Sequence, residues 1–174
     1  MKRINLIIIA VLLSLTAFAQ HQYDADFTQT RFMKVSGKTI TKAGHLVFNG
    51  DEQLSMTYTN PEGEFFIVDG MQVKMNMDGK KAEIDAEKVP MVQLQRSTLL
   101  NCLSGNWRQA AEENNAETSV TEAKGLRTVI LTVNGKVPRG GYSSVELTYS
   151  LSNRKLIKMV LIEPIGTVNT YEIK

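Results

Sequence analysis

Alternation of apolar and polar residues runs through most of this chain, and it is densest between Gly44 and Gly70, GHLVFNGDEQLSMTYTNPEGEFFIVDG. Leu46 and Phe48, then Leu54, Met56 and Tyr58, then Phe65 and Ile67 recur at every second position, the period that sets side chains on one face of a β-strand. Asn49-Gly50 and Asn60-Pro61-Glu62-Gly63 separate the runs, as turn residues do. Beyond Asp69-Gly70, Met71, Val73, Met75 and Met77 alternate with Gln72, Lys74, Asn76 and Asp78. The Asp-Gly pair suits the positive backbone angles of a type I′ hairpin turn, so the strands on either side of it should pair directly.

The pattern predicts strands at about Asp26 to Val35, Lys38 to Phe48, Gln53 to Asn60, Glu64 to Val68 and Met71 to Met77, which would form an antiparallel meander. Further strands are predicted at about Glu117 to Glu122, Leu126 to Val133, Ser144 to Leu151, Leu156 to Glu163 and Thr167 to Ile173. A flat sheet of that many strands would expose two long unpaired edges, so it should curl toward closure. Between the two sets lies one clear helical segment, Pro90 to Ser104, with Pro90 suited to its first turn and Gly105 to its C-terminal cap. Val92, Leu99, Leu100 and Leu103 fall on one side of it, widened by Met91 and Leu94, and a more polar helix is expected from Trp107 to Glu113. The predicted fold is mainly β with a few short helices: an incomplete, half-open antiparallel β-barrel with a helical lid or plug.

One short helix offers little to cover so much apolar sheet, and a barrel of this width often encloses an apolar ligand. The expected cavity lining is Leu46, Phe48, Leu54, Met56, Tyr58, Phe65, Ile67, Met71, Val73 and Met75 from the first half of the chain. Val92, Leu99 and Leu103 would join from the helix, and Leu147, Tyr149 and Val160 from the second half. Methionine is unbranched and polarizable, so a Met-rich wall adapts to variable apolar partners.

Ahead of the first strand, Met1 to Ala19 carries Lys2 and Arg3, an unbroken apolar run from Leu6 to Leu13, and Ala17-Phe18-Ala19, the layout of a cleavable export signal. The apolar run is shorter than the roughly 20 residues of a bilayer span. Cleavage would leave 155 of the 174 residues, Gln20 to Lys174, as one soluble domain of a size that supports its own core. It would also remove two basic residues, so the exported form balances 18 Lys and Arg against 18 Asp and Glu. Neutrality without a basic block gives no electrostatic footprint for nucleic acid. Cys102 is the only cysteine, which excludes an internal disulfide, and it is expected to fill a helix face rather than react.

Catalytic and metal chemistry find little support. The two histidines are His21, beside the expected cleavage point, and His45, mid-strand and out of phase with Leu46. No cluster has metal-ligand spacing and no Gly-x-Ser-x-Gly occurs, so neither an enzyme, a metal nor a cofactor is expected. Lys136 to Arg139 with Gly140-Gly141 reads as a solvated loop, with a partner-docking loop as the alternative.

Three fragments resemble the periplasmic lipoprotein carrier proteins, the LolA family: Gly-x-Leu-x-Phe at Gly44 to Phe48, Leu-x-Met-x-Tyr-x-x-Pro at Leu54 to Pro61, and Phe-Ile-Val-Asp-Gly at Phe66 to Gly70. Phe27-Thr28-Gln29 is similar to the family's opening Phe-x-Gln. The resemblance is strongest over Phe27 to Met77 and weaker through Pro90 to Trp107 and the final strands. It implies a monomeric periplasmic carrier whose sheet lines a pocket for the acyl chains of lipoproteins. Such a carrier takes them from an inner-membrane lipoprotein-releasing transporter to an outer-membrane receptor. The alternative on the same scaffold is a binding module that senses a lipid or a protein partner without carrying cargo.

Three features depart from the family. Asn49-Gly50-Asp51-Glu52 stands where members carry a basic residue that ties the lid shut, so that latch does not transfer. Met56 replaces the family's tryptophan in the following strand, and the chain ends at Tyr171-Glu172-Ile173-Lys174, where longer members continue into another strand and tail.

Overall fold

The computed structural model describes residues 21–50 and 52–174. The expected export segment, Met1 to Ala19, lies outside the described residues. Six strands come first, each reaching the next through a short turn: β1 (Tyr23–Met33), β2 (Lys38–Gly50), β3 (Gln53–Asn60), β4 (Glu62–Asp69), β5 (Gln72–Met77) and β6 (Lys80–Asp85). A 3₁₀ turn (Ala86–Lys88) leads into helices α1 (Pro90–Leu103) and α2 (Trp107–Glu113). Strands β7 (Ala116–Ala123), β8 (Leu126–Val133), β9 (Ser144–Ser150), β10 (Leu156–Ile162) and β11 (Thr167–Ile173) complete the described chain.

All eleven strands form one sheet in the order β6-β5-β4-β3-β2-β1-β11-β10-β9-β8-β7. Two antiparallel meanders are thus joined by the first and last of the described strands, with Phe27 opposite Ile173 and Met33 opposite Thr167. The sheet curls but does not close, because β6 and β7 remain free edges. Both edges carry charge on exposed positions, Lys80, Lys81 and Glu83 on one and Glu117 and Glu122 on the other, which discourages pairing with another chain. Strand β6 escapes the sequence pattern for the same reason: only Ala82 and Ile84 alternate with its charges.

The helices lie in the connection from β6 to β7, which is the connection between the two free edges. Crossing from one edge to the other brings α1 over the concave face. Pro90 stands at the first turn of α1, where its missing N–H costs nothing. At the other end, Gly105 adopts φ 79°, its N–H donates to Cys102 O, and Asn106 N–H donates to Asn101 O. This is a Schellman cap, and it accounts for the glycine.

Hairpin chemistry differs from expectation at Asp69-Gly70. Asp69 pairs with Gln72, so Gly70 and Met71 are the central residues, and only Gly70 has positive φ, the type II′ pattern. The turns with both central angles positive, as type I′ requires, are Asp78-Gly79 (51° and 76°) and Lys124-Gly125 (52° and 77°).

The alternation also shifts phase in two strands. Residues directly opposite one another share a face, and Met56 pairs with Phe66 and Leu54 with Val68. Phe66 and Val68 therefore face inward, while Phe65 and Ile67 project from the convex side beside Thr57 and Ser55. In β10, Leu156 pairs with Tyr149 and Lys158 with Thr148, leaving Ile157 as an extra residue. That bulge reverses the phase, so Met159 and Leu161 are buried inward and Val160 turns outward.

Candidate functional site

The concave face divides into a solid core and a hollow. Phe48, Leu54, Leu103, Leu131, Leu147 and Leu156 are each less than 2% exposed and pack in one cluster with Leu46, Leu100 and Trp107. Two tyrosines of the sheet fasten the C-terminal end of α1 to this core. Tyr23 Oη donates to Leu103 O at 3.2 Å while accepting from Leu156 N, and Tyr149 Oη donates to Cys102 O at 2.8 Å. Cys102 is fully buried there, and burial pushes its thiol up to about 12, which leaves no reactive thiolate at neutral pH.

Beside that core, next to the first turns of α1, is a cavity of about 170 Å³. Strand β3 supplies Met56 and Tyr58, β4 Phe66, β5 Val73, Met75 and Met77, and β10 Met159 and Leu161. Tyr171 of β11, Tyr142 and the α1 residues Val92, Gln95, Arg96, Thr98 and Leu99 complete the wall. Four methionines and three tyrosines thus surround the space.

Of the residues expected at a cavity, Met56, Tyr58, Val73, Met75, Val92 and Leu99 lie in this wall. Leu46, Phe48, Leu54, Leu103, Leu147 and Tyr149 belong instead to the solid core, and Met71 packs against it. Phe65, Ile67 and Val160 face away from the concave side because of the phase shifts in β4 and β10. Sequence reading missed Phe66, Met159 and Leu161 on those same grounds. It also missed Tyr142 and Tyr171, which alternation alone did not single out, and the polar residues of α1.

Those polar residues of α1 interrupt an otherwise mostly apolar and aromatic wall. Gln95 Nε2 donates to Gly140 O, and Thr98 Oγ1 donates to Leu94 O while accepting from Asn114 Nδ2. Arg96 is 6% exposed and its Nε donates to Gly70 O at 2.6 Å. The first half of α1 is therefore tied to the β4–β5 turn and to the loop before β9 by side-chain hydrogen bonds, whereas its second half is embedded in core.

A buried polar group lies beneath the tyrosine end of the cavity. Tyr58 Oη donates to Gln29 Oε1 at 2.7 Å, and Gln29 Nε2 donates to Tyr171 Oη at 3.0 Å. Burial, with the nearby Glu64 and Asp78 carboxylates, pushes the Tyr58 phenol well up, and burial does the same at Tyr171. Lys42, 8% exposed, donates to both Glu64 and Asp78 at 2.6 Å. Burial opposes its charge, but the two carboxylates outweigh that and hold its pKa above the usual lysine value.

On the convex face, His45 bridges Asp26 (2.9 Å from Nδ1) and Asp24 (2.7 Å from Nε2), and the two carboxylates raise its pKa. No three His, Cys, Asp or Glu side chains cluster as metal ligands among the described residues. Nor is any described helix long and apolar enough to cross a membrane.

No curated protein sequence matches the chain. Among solved structures, a LolA superfamily protein of Nitrosomonas europaea shares 9% identity over 90% of this chain and 85% of its own, with a TM-score of 0.38. The lipoprotein LppX of Mycobacterium tuberculosis shares 10% over 91% and 88%, with a TM-score of 0.37. The Pseudomonas aeruginosa MucA/MucB complex matches at 14% identity and a TM-score of 0.47, over 90% of this chain and 51% of that one. The family model described as outer membrane lipoprotein carrier protein LolA matches residues 20–174. By that match over almost its whole length, the chain belongs to the LolA family.

Proposed function

We propose that the protein is an exported carrier that holds acyl chains of lipoproteins in the methionine-lined cavity and moves them across the periplasm. The observation that carries this reading is the ring of Met56, Met75, Met77 and Met159 around the cavity beside the first half of α1. Native interiors are close-packed, and an acyl chain in an apolar cavity gains the dispersion contacts that such packing supplies.

Enclosing an acyl chain contributes about 0.8 kcal/mol per buried CH₂. A rigid slot would keep all of that and never release its cargo, so part must be offset on binding. The cavity of about 170 Å³ is smaller than the ~300–1,000 Å³ usual for ligand sites. Loading therefore requires α1 to lift or the methionines to repack, and either costs free energy that moderates the net affinity. The asymmetric fastening of α1 suits such movement, with the second half as anchor and the first half as lid.

In this reading Met1 to Ala19 is removed on export, residues 20–174 act as one monomeric domain, and neither cofactor nor catalysis is involved. Family membership supports an inner-membrane transporter as donor and an outer-membrane receptor as acceptor. Mixing the purified mature protein with acylated and deacylated forms of one lipoprotein tests the proposal. Retention of the acylated form alone is expected. Equal, negligible retention of both, together with a stable protein partner in pull-downs, would favour a sensing module.

A further inference from the structure

Arg96 is out of keeping with the wall it stands in. Of the hydrogen bonds its guanidinium can donate, the one from Nε is satisfied by Gly70 O at 2.6 Å. Nη2 is buried and makes no aligned hydrogen bond among the described residues, although Glu52 Oε1 lies 3.1 Å away as a counter-charge. The Glu52 side chain is 59% exposed. A buried guanidinium needs a counter-charge, but this one is mostly hydrated and loses little by swinging into water. The contrast with Lys42 is direct, since that cation is held by two carboxylates at 2.6 Å each.

We propose that Arg96 is a subsite for the anionic group, carboxylate or phosphate, of an amphiphile whose chain occupies the cavity, and that this group displaces Glu52. The inference rests on the acyl-chain reading of the cavity and narrows its ligand class to acidic amphiphiles. A planar guanidinium matches the oxygens of either anion, and such bonds strengthen where water is excluded. Because Glu52 lies in the β2–β3 turn and Arg96 on α1, the exchange also removes one tie between sheet and helix. The head group then supplies a tie from cargo to helix in its place.

Calorimetric titration of the mature protein with dodecanoate, dodecyl phosphate and dodecanol tests the proposal. The anions should bind about tenfold tighter than the alcohol, the scale of one hydrogen bond to a charged group. Arg96→Gln should abolish that preference. Because the buried arginine also supports the fold, Glu52→Gln at an exposed position provides a second test: removing the competing carboxylate should raise the anion-to-alcohol affinity ratio further. A preference for only one anion supports the subsite and names its source. Equal binding of all three ligands, or a preference that survives Arg96→Gln, overturns the subsite while leaving acyl-chain binding intact. Binding of none overturns both.

Discussion

Single residues fix the sheet's curvature and its internal charges. A Cβ at Gly44 would lie 2.4 Å from Thr57 O and 2.8 Å from the Phe27 ring, so backbone and aromatic ring would both have to move. Gly44→Ala is expected to cost about 1–3 kcal/mol in urea unfolding, the range for overpacked cores. Lys42→Met strands the nearly buried Glu64 without its cation and should cost about 3 kcal/mol in the same measurement. Lys42 also holds the Asp78 carboxyl below its ordinary value. That contribution is present above the usual aspartate range and is lost as pH falls through the depressed folded value. His45 titrates with the opposite sign. Its folded pKa is raised, so its pairing with Asp26 and Asp24 is complete below pH 6.5 and fades as pH rises through the higher folded value. An NMR titration should place His45 above 6.5, and replacing both aspartates with asparagine should bring it back down. Residue-level reading was least secure where polarity did not alternate: Phe65-Phe66-Ile67-Val68 is apolar throughout, and its phase is set by pairing with Met56 and Leu54. The bulge at Ile157 is equally silent in sequence, since Leu156 to Ile162 is nearly all apolar.

At the scale of elements, α1 is a lever with unequal ends. Tyr23 and Tyr149 hold carbonyls at its C-terminal end, while Gln95 and Arg96 make the side-chain ties of its earlier turns. Tyr23→Phe should cost about 1–2 kcal/mol in urea unfolding, because Leu103 O and Leu156 N–H both lose a buried partner. Amides in the first turns of α1 should exchange faster than those of Leu100 to Leu103, and cargo should slow them. The helix was legible because Pro90 and Gly105 mark its ends chemically. Its functional face was not, since nothing in the local spacing of Gln95 and Arg96 shows that the loop at Gly140 and the turn at Gly70 lie beside them.

For the whole molecule, the decisive arrangement is that the one helical connection among the described residues joins the two free edges of one curled sheet. Alternation and turn residues foretold a curling antiparallel sheet with a helical cover. They did not foretell the pairing of β1 with β11, which depends on contacts between chain ends that local pattern does not encode. Nor could they divide the apolar face into core and hollow, because Leu54 and Met56 look alike in period and differ only in what lies opposite. The central claim is that the hollow is the acyl-chain site. Methyl NMR of ¹³C-labelled methionines, during titration with a palmitoylated lipopeptide and its deacylated form, tests it most directly. Large shifts at Met56, Met75, Met77 and Met159 are expected with the acylated peptide alone. Resonances that stay fixed at all four, or move equally with both peptides, would contradict it.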